Sequence, residues 1–416
     1  MAAIPEKERK FLRELAQQQR AYSALPVMEE RRTAWTLHND LKSNQPMIHF
    51  ETRSCEEQLL PPLACISEEG RWMEKTLRRA MLNHEMIQDD RVVPGTFDLT
   101  WHIDFQLFNM PPQIIHADEN GQEGLGQHFL PLIRNLERDV ETLAPSQWSV
   151  DRRAIDQKIE MVQDVLGDIL PVRLKTGYLG ASLTQNVVML MGMEAMLFAL
   201  MDHPEPFSRL MGRITDEYLR YYQWLEKNGL LIPNNDDFFV NQGTFGFTDE
   251  LPQGKPGTPT GLQDMWFYMD SQETVTVSPA MYETFFFPHY RRLAEPFGRL
   301  NYGCCEPVHL IWDRCVSRLP GLRKVSISPW CDEAFMGERL RGSSVIYHRK
   351  PSPLFVGLGG HLDEDGFRKH IRETIHRAKG CRLEFSFRDV YDLGGHPEKP
   401  ARAVQIVREE LADLWT

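Results

Sequence analysis

The segment Asn301-Tyr302-Gly303-Cys304-Cys305-Glu306-Pro307 places two adjacent thiols and a carboxylate after a short apolar run and before a helix-like stretch, Val308–Leu319. In an extended segment successive side chains alternate faces, so Tyr302, Cys304 and Glu306 are expected to point one way and Cys305 the other. A thiolate with a carboxylate is part of a Zn2+ shell, which one or two ligands from elsewhere must complete. The competing reading is that small, weakly polar cysteines pack well in a core.

Other polar residues stand at the ends of short β-rich runs. His102 and Asp104 lie two apart and share a face; Asn234, Asn235, Asp236 and Asp237 form one cluster and Asp270-Ser271-Gln272 another. Trp330-Cys331-Asp332-Glu333, His348-Arg349 and Arg388-Asp389 follow. Asp, Asn and Ser at such places often cap the next helix, which is reading enough for Asp332 or Asp389. The set expected to line one cavity is Asp104, Asn235, Gln272, Cys304, Glu306 and His348. No Gly-x-Ser-x-Gly elbow, HExxH, CxxC pair or Walker-type phosphate loop is present.

The elements that would position these residues alternate. β-rich runs occur at Pro46–Glu51, Thr96–Phe105, Val172–Leu179, Leu230–Phe239, Trp266–Gln272, Arg299–Cys305, Lys324–Trp330, Ser344–His348 and Arg382–Arg388. Helical patterns occupy Gln185–Leu200, Pro204–Asn228, Pro279–Glu295, Val308–Leu319, Glu333–Arg341, Glu364–Ala378 and Lys399–Leu414. Such alternation implies βαβ units and a parallel sheet. The number of units suits an α/β fold of the (β/α)8 TIM-barrel type, with active-site residues at the strand C-termini. No early glycine-rich strand–turn–helix marks a dinucleotide site. Glu6–Lys42 reads as one or two polar helices outside the main core. The expected organisation is an N-terminal helical extension over residues 1–45 and a barrel domain over 46–416. The Pro/Gly-rich segment Asp249–Gly261 is the longest punctuated loop and a candidate lid.

Composition limits the function classes. The chain has 416 residues, 42% of them hydrophobic, and a formal net charge of −12. That balance argues against a nucleic-acid partner, because neutralising phosphates needs basic clusters. Seven cysteines at irregular spacing read as reduced thiols of a cytoplasmic enzyme, not a disulfide framework. Met1–Arg20 is charged and helical in pattern, unlike a signal peptide. The longest apolar stretch, Val187–Leu200, is interrupted by Gly192 and Glu194 and is too short to span a bilayer. The helical outer layer of a barrel also suits a homodimer.

Several segments together resemble one family. Phe267-Tyr268-Met269-Asp270-Ser271-Gln272 is followed by Val277-Ser278-Pro279-Ala280-Met281-Tyr282, by Phe287-Pro288 and by the run ending at Cys304; upstream, Gly192-Met193-Glu194-Ala195 precedes His203-Pro204-Glu205. This order resembles the uroporphyrinogen decarboxylase superfamily over roughly residues 90–415. That superfamily also includes zinc-dependent methyltransferases that move methyl groups to and from corrinoid proteins or thiols. The decarboxylase's N-terminal arginine motif has no counterpart here, whereas Asp104 stands loosely where its Asp faces the pyrrole nitrogens. Tyr302-Gly303-Cys304 aligns with the methyltransferases' His-x-Cys, Tyr302 replacing the His. The resemblance implies methyl transfer between a corrinoid, free or on a corrinoid protein, and a thiol or other small acceptor. It implies zinc held by some combination of Cys304, Cys305 and Glu306. The alternatives are a metal-free decarboxylase using His348, Arg349 and Arg388, and a barrel that binds without catalysis.

Overall fold

The computed structural model describes residues 4–119, 122–254 and 257–415. Eleven strands are present among them: β1 (Met47–Phe50), β2 (Phe97–Thr100), β3 (Gln113–Glu119), β4 (Gln122–Leu130), β5 (Val172–Lys175), β6 (Gly180–Ala181), β7 (Trp266–Met269), β8 (Arg299–Tyr302), β9 (Leu322–Ile327), β10 (Ile346–Arg349) and β11 (Arg382–Phe387). Seven form one parallel sheet in the order β1-β11-β10-β9-β8-β7-β6. β2 and β5 form a separate parallel pair, and β3–β4 an antiparallel hairpin. β1 and β2 share no ladder. The protein is thus mixed α/β around a central parallel sheet, its strands joined through helical crossovers.

The strands owe their placement to strict alternation. In β11, Leu383, Phe385 and Phe387 point to one face while Glu384 and Ser386 point to the other. β9 sets Val325 and Ile327 against Lys324 and Ser326, and β10 sets Tyr347 against His348. The register aligns the polar residues across strands: His49 with Ser386, Glu384 with His348, His348 with Ser326, Lys324 with Asn301 and Asn301 with Tyr268. The sheet therefore has an apolar face, covered by helices such as Glu364–Arg377 and Lys399–Leu414, and a polar face that is also buried. The helix Glu364–Arg377 shows how the cover is set. Asp363 caps its start by accepting from Gly366 N, and Phe367, Ile371 and Ile375, four apart, form its buried stripe.

The loop 234–247 covers the polar face. Side chains across the sheet bind its backbone and its polar groups. Asn301 Nδ2 donates to Val240 O and Asn241 O, both at 3.2 Å, and Ser386 Oγ to Gly243 O at 2.7 Å. Trp266 Nε1 donates to Gly246 O at 2.8 Å, and Lys324 Nζ to Thr244 Oγ1 at 2.5 Å. Buried main chain needs such partners.

This loop occupies part of the segment Leu230–Phe239 that was expected to be a strand. Instead of pairing through its backbone, that segment uses the Asn234 side-chain amide, which bonds both Trp266 N (2.8 Å) and Trp266 O (3.0 Å). The N-terminal helices Glu6–Ser23 and Pro26–Asn39 lie outside the main apolar cluster, in a second one of their own, but are tied to the polar face of the sheet. Trp35, His38 and Asn39 are buried, and Asn39 Nδ2 donates to Phe245 O and Phe247 O at 3.0 and 2.7 Å. Val308–Leu319 forms two short 3-10 turns instead of one helix. Pro279–Glu295 divides at Phe286, where Pro288 opens the second helix without needing an N–H partner. The Met-rich stretch is two helices, Leu183–Met191 and Met193–Asp202, bent 99° at Gly192, and no single helix among the described residues is long and apolar enough to cross a membrane. The described part of Asp249–Gly261 lies away from the strand C-termini. Glu250 pairs with Arg299 and Arg323, at the N-terminal starts of β8 and β9, so the segment is no lid over the cysteines.

Candidate functional site

β8 ends at Tyr302, and the next residue turns the chain. Gly303 has φ +97°, and a Cβ there would meet Ser326 Cβ and Val308 Cγ1 at 3.3 Å, so only glycine fits the turn without strain. The extended geometry expected through Glu306 is broken at this point. The two thiols do not oppose each other: Cys304 Sγ and Cys305 Sγ lie 3.6 Å apart, both half-buried. Tyr302 points the other way, into the apolar face, where its hydroxyl meets Ser271 Oγ at 2.7 Å and the Tyr282 hydroxyl at 2.9 Å. It therefore does not stand beside Cys304, although it stays close enough to Glu306 to feel its charge.

Glu306 is buried and accepts two backbone hydrogen bonds, from Ser271 N at 2.9 Å and Cys304 N at 2.7 Å. Beside it Lys350 Nζ donates to Cys304 O at 3.0 Å and to Gln242 Oε1. Gln242 also accepts from Arg388 Nη1, and its Nε2 donates to the Tyr268 hydroxyl at 2.7 Å. That hydroxyl donates to Asp270 Oδ2 at 2.5 Å, while Asp270 Oδ1 faces Ser182 without a well-formed hydrogen bond. Arg388 Nε is ion-paired with Glu51 at 2.7 Å. A continuous polar chain therefore runs from the cysteine turn through Lys350, Gln242 and Arg388 to Glu51.

Burial sets the protonation of this cluster. Burial, then the nearby Asp270 and Cys304, pushes Glu306 up to about 8. Asp270 is also raised, by burial. Asp270 and Glu306 are both buried and close enough to oppose each other's charge, so ionising both is costly. Burial lowers Lys350. The hydrogen bond between the thiols splits them: Cys304 is raised, and Cys305 is lowered with help from Lys350. Cys305 is thus the thiol poised to ionise.

The remaining expected residues are scattered. Asp104 is exposed, and its carboxylate bonds only Gln106 Nε2, at 3.0 Å, because β2 ends at Thr100 and the following loop carries it to solvent. Asn235 binds Thr248 O and Leu251 O (3.2 and 2.7 Å), beside Glu250 at the opposite end of the sheet; it braces a loop. Gln272 begins a short 3-10 turn next to Glu273 and is half-buried, with no bond to the cysteine cluster. His348 does face the polar side, one layer beneath Lys350, with Nε2 2.7 Å from Ser386 Oγ. Burial pulls it down to about 3, so it stays neutral. Arg349 alternates to the apolar face and pairs with Glu333 at 2.6 Å, leaving Arg388 as the one cation of the decarboxylase set at the site. Cys381 lies just before β11, bonded to Gly337 O, away from the cluster, and Asp332 caps the helix Glu333–Leu340.

The zinc expectation meets half its geometry. The sulfur separation is close to the roughly 3.8 Å between two thiolates on one tetrahedral zinc. Glu306, the third expected ligand, has both oxygens turned to backbone N–H groups. Among the described residues no three His, Cys, Asp or Glu side chains converge as a metal requires. The residues present do not fit a zinc shell.

A cavity of about 650 Å3 opens between β1 and β2. Glu51 and Tyr178 stand in its wall; Glu51 ends the polar chain from the cysteines, and the Tyr178 hydroxyl accepts from Asn241 at 3.2 Å, next to Gln242. Of its other lining residues Asp237 belongs to a polar cluster visible in the sequence, whereas His49 showed only an ordinary strand pattern and Arg91, in a loop, showed none.

Comparison with known proteins gives little. No family model matches the chain, and no curated protein is similar to it. Among solved structures the chain is similar to a methyltransferase from Methanosarcina mazei, at 11% identity and a TM-score of 0.48, over 93% of this chain and 99% of that one.

Proposed function

We propose that this protein is a methyltransferase that moves a methyl group between a corrinoid, free or carried by a separate corrinoid protein, and a thiol or other small molecule. We further propose that β2 and β5, the latter running on into β6 as one broken strand, complete the seven-stranded sheet into a (β/α)8 barrel whose seam, between β1 and β2, is the cavity. The sequence resemblance supports this reading. The observation that carries it is the convergence of buried Asp270 and Glu306 with Cys305 and Lys350 at the strand C-termini, where burial favours the protonated carboxyl.

The corrinoid would supply the metal centre that accepts or releases the methyl group. The protein's own part is proton management. When a methyl group leaves an oxygen, nitrogen or sulfur, that atom keeps the bonding electrons and needs a proton. The Asp270–Glu306 pair can give one, and in the reverse direction can take one from a thiol acceptor. Cys305 and Lys350 polarise the same end of the site. No step runs through zinc.

The test is an anaerobic assay following the visible spectrum of methylcobalamin with a thiol acceptor such as 2-mercaptoethanol. Wild type is expected to transfer the methyl group, and Glu306→Gln to lower kcat by roughly 10^2-fold or more, the usual worth of a positioned acid–base group. An inactive wild type, tested with free methylcobalamin and with a methylated corrinoid protein, would end the methyl-transfer reading. Metal analysis of the same preparations finds no stoichiometric zinc if the cysteine turn works without it.

A further inference from the structure

The cavity between β1 and β2 is built around two side chains that the proton-transfer cluster does not use. His49 follows β1's alternation onto the polar side, and its Nδ1 is 2.8 Å from Asp89 Oδ2. Arg91 donates from Nη1 to Asn83 Oδ1 at 2.8 Å. Asp89 and Asn83 are both buried and are tied to each other, Asn83 Nδ2 donating to Asp89 Oδ2 at 2.7 Å. Asp89 accepts further from Phe50 N at 2.8 Å and Arg91 N at 3.0 Å. Burial works against its charge, but His49 and these N–H groups hold it down near 2. One buried carboxylate and one buried amide therefore fix both His49 and Arg91 in the cavity wall, as a second layer fixes first-contact residues in preorganised sites.

The charges in the wall are otherwise matched. Lys175 pairs with Asp98 and Asp237, both at 2.8 Å, Arg79 with Glu56, and Glu51 with Arg388. Arg53 is exposed. Arg91 is half-buried, and among the described residues it has no carboxylate within ion-pair distance. Burial lowers its pKa, and Asp89, Asp237 and Glu51, none of them in contact with its guanidinium, only partly offset that. A half-buried guanidinium with no carboxylate in contact keeps donors open toward the cavity, and a ligand anion can fill them. Around it Phe97, Phe238, Phe239 and Phe245 make the wall apolar. The volume falls in the range of small-molecule sites.

We propose that this cavity binds a small monocarboxylate with an apolar, ring-sized body, its carboxylate gripped by Arg91 with His49 Nε2 as a second hydrogen-bonding partner. One unmatched cation answers one negative charge, which favours a carboxylate over a phosphate dianion. The inference deepens the methyl-transfer reading by naming the chemistry of the small substrate, and rests on it only for the step after binding.

Binding can be read without any corrinoid, so the two ideas fail separately. The full-length protein is titrated calorimetrically with benzoate, benzamide and phenyl phosphate in a carboxylate-free buffer. Benzoate is expected to bind at least about tenfold tighter than benzamide, in line with hydrogen bonds to a charged group. Arg91→Gln should bring benzoate down to the benzamide level, and Arg91→Lys should recover part of the difference. The wild-type comparison stands even if a variant fails to fold. Equal binding of benzoate and benzamide, no heat with benzoate at millimolar concentration, or unchanged benzoate affinity in folded Arg91→Gln would overturn the proposal. Tighter binding of phenyl phosphate than benzoate would overturn the carboxylate assignment.

Discussion

Replacing Glu306 with glutamine should make the protein's stability depend differently on pH, with a change of sign. Glu306 has an ordinary value of 4.5 and is raised to about 8 in the folded chain. A carboxyl raised on folding binds more protons folded than unfolded between those two values, so its contribution is intact below about pH 4.5 and is lost as pH rises toward 8. Each pH unit between the two values is worth about 1.4 kcal/mol, so the whole loss is about 5 kcal/mol. Glutamine carries no such burden, but it has a local cost. Both Glu306 oxygens face N–H donors, Ser271 N and Cys304 N. The glutamine NH2 must oppose one of them, which costs about 1–3 kcal/mol. At pH 5 the clash dominates and Glu306→Gln is the less stable protein by about 1–2 kcal/mol; at pH 9 relief of the buried charge dominates and it is the more stable by about 2–4 kcal/mol. Urea denaturation of both proteins at pH 5, 7 and 9 reads the difference directly. A difference that stays flat across that range would show that Glu306 titrates normally, and the proton held by the Asp270–Glu306 pair would go with it.

Tyr302→His, which restores the side chain expected beside Cys304 from the family pattern, should not create a metal site. It should cost about 2–4 kcal/mol, since the buried Ser271 and Tyr282 hydroxyls lose their common partner. Zinc content and the denaturation midpoint check both parts; a stoichiometric gain of zinc would mean the residue faces the cysteines. Lys350→Met should slow alkylation of Cys305 by iodoacetamide at neutral pH several-fold, because the thiolate loses its neighbouring cation. Mass spectrometry locates the modified thiol, and an unchanged rate would show that Lys350 does not govern it.

The second half of the fold was legible because its strands are short and alternating and, except between β8 and β9, are separated by helices, several of them capped. β7 to β11 fall where their patterns put them. Leu230–Phe239 misled because its apolar residues serve a loop that packs against a sheet face, and periodicity cannot tell that from a strand. In the site, the Cys304-Cys305-Glu306 cluster stood out by residue type. Lys350 and Tyr268 were within reach of the same reasoning: each lies two residues along the strand from a polar residue already noticed, His348 and Asp270, and so shares its face. That rule also separates Arg349 from His348. The turn at Gly303 was the step that alternation alone could not anticipate, and it sends Tyr302 away from the thiols. Gln242 and Arg91 come from loops whose paths only the folded chain defines, and Asn235 and Asp104 were misplaced for the same reason.

The loop 234–247 carries a consequence for how this chain can vary. Loops ordinarily absorb insertions and deletions because solvent satisfies whatever backbone they expose. Here partners from five of the seven sheet strands, β7 through β11, converge on one loop, directly or, at β10, through Lys350 just beyond the strand. Removing or adding a residue would slide its carbonyls past Asn301, Ser386 and Trp266 together and would pull Gln242 from Lys350, Arg388 and Tyr268. In a scan of single-residue insertions this loop should tolerate change as poorly as a core strand. The β3–β4 hairpin, which pairs only with itself, is where length variation should collect.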